Sequence, residues 1–197
     1  MDVEIVSATH ERVPELAELL GRVFADDPII TWPFPAASDV ARATRLFEIL
    51  DDEFARSDFL WEARPARGVA MWVPPDGFER YLDAELATRD PVTALTDDGG
   101  VRYQAFWDWI ESNLPDEPQW FLDHVAVAES ERGRGVGSAL IRFGLERAAD
   151  DDVTVTLETA RDWNVPIYEH LGFETYLEAD APDGGPHLWF MRADPAG

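Results

Sequence analysis

WFLDHVAVAESERGRGVGSAL, from Trp120 to Leu140, decides how this chain is read: an apolar run, a short polar turn, a glycine loop interleaved with arginine, and the start of a helix. The apolar run alternates and is rich in β-formers, so it predicts a strand. Gly135 and Gly137 let backbone amides approach a ligand that a side chain would hold away. Those amides point out of a helix N-terminus, where unpaired N–H groups and the positive end of the helix dipole converge. The stretch therefore predicts an anion site.

Elimination narrows the anion. A Walker loop needs a lysine after its last glycine, and the chain contains no lysine. A dinucleotide fingerprint needs G-x-G-x-x-G, but the third glycine is replaced by Ser138 when counted from Gly133 and by Leu140 when counted from Gly135. What remains is Arg132-x-x-Gly135-x-Gly137 directly after a strand. This resembles the R/Q-x-x-G-x-G/A loop of the GNAT acyltransferase superfamily, which holds the pyrophosphate of acetyl-coenzyme A. A second match, Asn164, Tyr168 and Gly172-Phe173 in NVPIYEHLGF, is similar to the Asn…Tyr…GF segment after the next strand of that superfamily. The end of the chain from Trp120 onward resembles most closely the puromycin N-acetyltransferase-like members. The N-terminal half resembles them more loosely, in VPELAELLGRVFADDP and WEARPARGVAMWVPP.

The resemblance implies a mixed α/β domain over residues 1–197, with a central, mostly antiparallel sheet flanked by helices and a splayed strand pair for the cofactor. It implies an N-acetyltransferase that takes acetyl from acetyl-coenzyme A as cosubstrate and passes it directly to a small-molecule amine. By the same resemblance the cofactor would pair along Val125, Ala126 and Val127. Its phosphates would rest on Arg132, Gly133, Arg134, Gly135, Val136, Gly137 and Ser138. Tyr168 stands where the family's tyrosine protonates the departing sulfur, and Asn164 would orient the cofactor or that tyrosine, or cap the short helix. A non-catalytic acyl-coenzyme A sensor is the alternative.

The general base is open between two carboxylates. Strict alternation puts Phe121, Asp123, Val125 and Val127 on one side of the strand and Leu122, His124 and Ala126 on the other. Asp123 then shares its side with the cofactor-pairing positions, while His124 packs under a helix. Glu158, in LETA at the end of the next strand, is the competitor. The four histidines show no ligand spacing, so no metal site is expected.

Composition bounds the partners. Forty acidic against sixteen basic residues give a formal charge of −24, which disfavours nucleic acid and anionic membrane. Such a surface suits concentrated salt, where charges are screened over about 3 Å at 1 M, and a halophilic setting is expected. Without cysteine there is neither a disulfide nor a thiolate nucleophile. The start MDVEIVSATHERVPEL lacks the basic and apolar regions of a signal peptide, and a cytoplasmic monomer or homodimer is expected.

Along the chain, periodicity predicts helices over Val13–Phe24 and from Asp39 to about Phe54. ADDPIITWPFPAASD between them reads as a proline-rich apolar loop that covers the core or, as the family resemblance implies, walls the acceptor site. A hairpin is predicted from Phe59–Ala63 and Gly68–Val73, turning at Arg64-Pro65-Ala66-Arg67. Two helices follow between Phe78 and Asn113, split at Thr96–Gly100. The remaining elements are the strand Phe121–Val127, a helix from Val136 to about Ala149, the strand Val153–Glu158, a short helix Asn164–His170, and strands Phe173–Leu177 and His187–Met191.

Overall fold

A computed structural model describes residues 3–35, 39–64 and 67–195. In chain order it contains β1 (Ile5–Ser7), α1 (Val13–Phe24), α2 (Pro28–Thr31), α3 (Val40–Arg56), β2 (Leu60–Ala63), β3 (Gly68–Val73), α4 (Phe78–Thr93) and α5 (Val101–Glu111). These are followed by β4 (Gln119–Val127), α6 (Val136–Asp151), β5 (Thr154–Thr159), α7 (Val165–His170), β6 (Glu174–Asp180) and β7 (His187–Ala193). The expected hairpin is present as β2 and β3, while Pro65 and Ala66 of its turn lie outside the described residues.

The strands form one mixed sheet in the order β1-β2-β3-β4-β5-β7-β6, antiparallel except where β4 meets β5. Its faces follow from alternation along β3. Val69, Met71 and Val73 pack against α1, α3 and α4 through Leu16, Leu20, Leu46, Phe54 and Tyr81. Ala70 and Trp72 face α6 and α7, with Leu140, Ile141 and Tyr168. α6 lies close because residue 144 is glycine: a Cβ there would stand 2.6 Å from Cη2 of Trp72. Trp72 Nε1 donates to the Leu140 carbonyl at 3.2 Å, so the indole is satisfied where it is buried. α5 covers the far end of the first face, with Phe106 and Ile110 against Leu188 and Phe190.

The proline-rich segment after α1 departs from the loop expectation. Asp27 caps a single helical turn, its Oδ1 accepting the Ile29 N–H at 3.0 Å, and Pro28 fits the first position, where no N–H is needed. Ile30 and Phe34 are buried, and Arg161 ties the segment to the end of β5 through Asp27 at 2.6 Å and Asp26 at 2.5 Å. Among the described residues no helix is long and apolar enough to cross a membrane.

Candidate active site

β4 and β5 pair only over Gln119–Phe121 and Thr154–Thr156. Beyond that seam β5 stays with β7 and β4 stays with β3, so a gap opens between them along Leu122–Val127. The arginine–glycine loop closes one end of the gap. Gly133 (φ 74°) and Gly135 (φ 83°) are both left-handed, and a Cβ on either would meet nothing within 4 Å. Glycine is needed here for backbone handedness, and the space beside it is open to a ligand. Gly135 stands at the N-cap of α6 with no side-chain cap, which leaves the first-turn amides of Val136, Gly137 and Ser138 for an external acceptor. Arg132 and Arg134 are exposed beside them. Glu131 lies 3.7 Å from Arg134 and 2.7 Å from Arg67, and Arg67 holds its carboxyl below the usual range.

The middle of β4 differs from strict alternation. Met71 pairs with His124 but Trp72 pairs with Leu122, so Asp123 is an extra residue in a β-bulge. The bulge reverses parity on its two sides. Phe121 faces α4, and beyond the bulge His124 and Ala126 face α1 and α3, while Leu122, Val125 and Val127 face α6. The expected grouping of Phe121 and Asp123 with Val125 and Val127 is therefore corrected, as is that of His124 with Leu122. His124 packing under a helix does hold: its ring meets Phe24 and Phe47 edge-on.

Because it is bulged, Asp123 gathers partners from several elements. Oδ1 lies 2.7 Å from His124 Nδ1, and Oδ2 accepts from the Tyr81 hydroxyl at 3.2 Å. Tyr81 also lies 3.1 Å from Glu85 Oε1. Burial and the nearby Asp123 raise the Glu85 pKa to about 8, while the hydroxyl of Tyr81 pulls the other way. Behind His124, Asp51 is fully buried, 3.6 Å from Nε2, with both carboxyl oxygens lacking a hydrogen-bond partner among the described residues. Burial lowers the His124 pKa, but Asp51 and Asp123 outweigh it and the net shift is upward.

Glu158 follows two residues after the seam, as Asp123 does on β4, so the two flank the gap. Burial and the Asp123 charge push the Glu158 carboxyl far up, and its Oε2 is buried without a partner among the described residues. Tyr168 comes from the α6–α7 face, its ring edge-on to Phe173, and its phenol is raised by burial and then by Glu158. Asn164 does not cap α7; its Nδ2 donates to Thr159 Oγ1 at 3.2 Å, bracing the turn after β5. The gap thus has an anion cradle at one end and ionisable groups from both faces in its middle.

The family model for the acetyltransferase (GNAT) family matches residues 48–173, which takes in the seam, the loop and α7. The chain belongs to the GNAT acetyltransferase family. Among solved structures, a Corynebacterium glutamicum protein described as histone acetyltransferase HPA2 and related acetyltransferase is 26% identical. It covers 100% of this chain and 98% of its own, with a TM-score of 0.73. Arylalkylamine N-acetyltransferase 2 of Aedes aegypti covers 100% of both chains at TM-score 0.65, but at 12% identity it shows the fold alone. A curated relative, mycothiol acetyltransferase of Corynebacterium aurimucosum, is 31% identical over 52% of this chain and only 38% of that protein's length.

Of the site residues expected from the sequence, the fold brings the loop, Asp123, Glu158 and Tyr168 to one gap. The sequence did not single out Asp51, Tyr81, Glu85 and Arg67, which lie beside them. Asp51 carries a signal that could have been used: a carboxylate four residues from Phe47 and three from Phe54 on an apolar helix face. Tyr81 and Glu85 lie on a helix of weak amphipathicity and give no such signal.

Proposed function

We propose that this GNAT acetyltransferase passes acetyl from acetyl-coenzyme A to the nitrogen of a small-molecule amine, directly and within one ternary complex. The observation that carries this reading is the β4–β5 gap, with an anion cradle at its end and ionisable side chains in its middle. GNAT acetyltransferases generally use acetyl-coenzyme A, and the cradle fits its pyrophosphate. Left-handed glycines leave room, open amides supply donors, and Arg132 and Arg134 supply charge on a protein of net −24. The free side of β4 at Val125, Ala126 and Val127 can accept an extended arm as an added strand.

In this reading Asp123 takes the proton that the ammonium must lose before its nitrogen attacks. His124 and Tyr81 hold that carboxylate in place. As the N–C bond forms and the C–S bond breaks, Tyr168 donates its proton to the sulfur. Its raised pKa keeps the phenol protonated through the neutral range. Glu158, held neutral by burial, acts as a hydrogen-bonding wall rather than the base.

The test combines acetyl-coenzyme A with a panel of amines and reads free thiol. Turnover by the native protein, together with loss of acetyl-coenzyme A binding in Gly135→Glu, is the expected result. Undiminished binding in that variant would remove the cradle assignment. Binding with no turnover of any amine would point to a non-catalytic acyl-coenzyme A module.

A further inference from the structure

A cavity of about 200 Å³ lies between α4 and α5, walled by Phe78, Tyr81, Trp107, Ile110, Leu114 and Phe121. It opens on the face of the sheet that carries Glu158. Gln119 lines the cavity and its side chain bonds to Thr156 Oγ1, and Glu158, two residues on along β5, shares that face. Tyr81 connects cavity and gap in one side chain: its ring is cavity wall, and its hydroxyl donates to Asp123.

We infer that the acceptor is a primary amine on a compact apolar body, about one ring in size, seated between α4 and α5 with its nitrogen turned toward Asp123. This rests on the proposed transfer to an amine and names its substrate class. Volume sets the size, since a cavity of roughly 150 Å³ already takes a benzene. The lining sets the chemistry: aromatic and aliphatic walls favour an apolar body. The charged residues lining the cavity, Glu111 and Asp116, are both acids, which disfavours an amine that carries its own carboxylate.

The experiment measures kcat/KM by thiol release for 2-phenylethylamine, cyclohexylmethylamine and alanine, with acetyl-coenzyme A as donor. Each apolar amine should exceed alanine at least tenfold. Leu114→Trp, which fills the cavity, should reduce that preference at least tenfold. Leu82→Trp, placed at the rim on an exposed position of α4, makes the same test if Leu114→Trp fails to fold. Preference for alanine, or an unchanged ratio in a folded cavity-filled variant, would overturn the inference while leaving amine acetylation intact. If acetyl-coenzyme A binds and none of these or other amines releases thiol, the amine-transfer reading itself fails, and the inference with it.

Discussion

Asp51→Asn should make the protein more stable at pH 8 while changing little at pH 4. Asp51 is fully buried on α3, its carboxyl oxygens without hydrogen bonds among the described residues and His124 3.6 Å away. Burial raises its pKa from an ordinary 3.8 to about 7, with His124 pulling the other way. The unfolded chain releases this proton near pH 4 and the folded chain near pH 7. Between those values the folded state binds the extra proton, so its stabilising contribution is full below about pH 4 and is lost as pH rises through about 7. At roughly 1.36 kcal/mol per pKa unit the ceiling is about 4 kcal/mol. Asparagine has the shape of the neutral acid and no proton to lose, so the variant escapes this loss. At roughly 2–4 °C per kcal/mol for a chain of this size, the gain at pH 8 would reach about 8–16 °C in Tm. Denaturant melts of both proteins at fixed high salt, from pH 4 to pH 8, give the difference directly. A difference that stays flat across that range, or a wild type that is the more stable at pH 8, would refute the reasoning.

Gly144→Ala should cost about 1–3 kcal/mol by overpacking, because its Cβ would enter the Trp72 ring, and a calorimetric melt will show it. Tyr168→Phe should lower kcat about 10²- to 10⁴-fold with acetyl-coenzyme A binding retained, as measured by steady-state thiol release and calorimetry. Asp123→Asn should lower kcat/KM by about 10²- to 10⁴-fold, whereas Glu158→Gln, replacing a group that burial holds neutral, should change it little, as read by steady-state thiol release. Stability should rise between 0.1 M and about 2 M potassium chloride as screening relieves repulsion among forty acidic residues, read as a higher Tm.

Much of the architecture was legible because its signals are local. Val13–Phe24 is the helix that periodicity gives, and Gly68–Val73 is the expected strand, since a single face or run decides each. The glycine loop was legible because its left-handed backbone requires glycine at Gly133 and Gly135. The bulge was not legible: Phe121-Leu122-Asp123-His124-Val125 alternates well enough for a regular strand, and only pairing with β3 shows one residue too many. The partners of Asp123 were hidden for a related reason. Tyr81 precedes it by 42 residues and reaches it only through the packing of α4 on the sheet, and Asp51, on α3, meets His124 in the same way. Proline content misled at Pro28–Thr31, where a capped first turn absorbs a proline that would break a helix interior.

The bulge at Asp123 bears on how such a chain can change over generations. Side chains along β4 can be exchanged one at a time, each at its own cost. The one residue between Leu122 and His124 is different in kind. Losing it would leave a regular strand, with Leu122 against Trp72 and His124 against Met71 on the faces they already occupy, and with Val127 still opposite Gly68. The fold and the glycine loop would stay in register while the carboxylate held by Tyr81 disappeared. A single-residue deletion there would act as a point mutation of the proposed base, so Asp123 is a residue the sheet itself does not require.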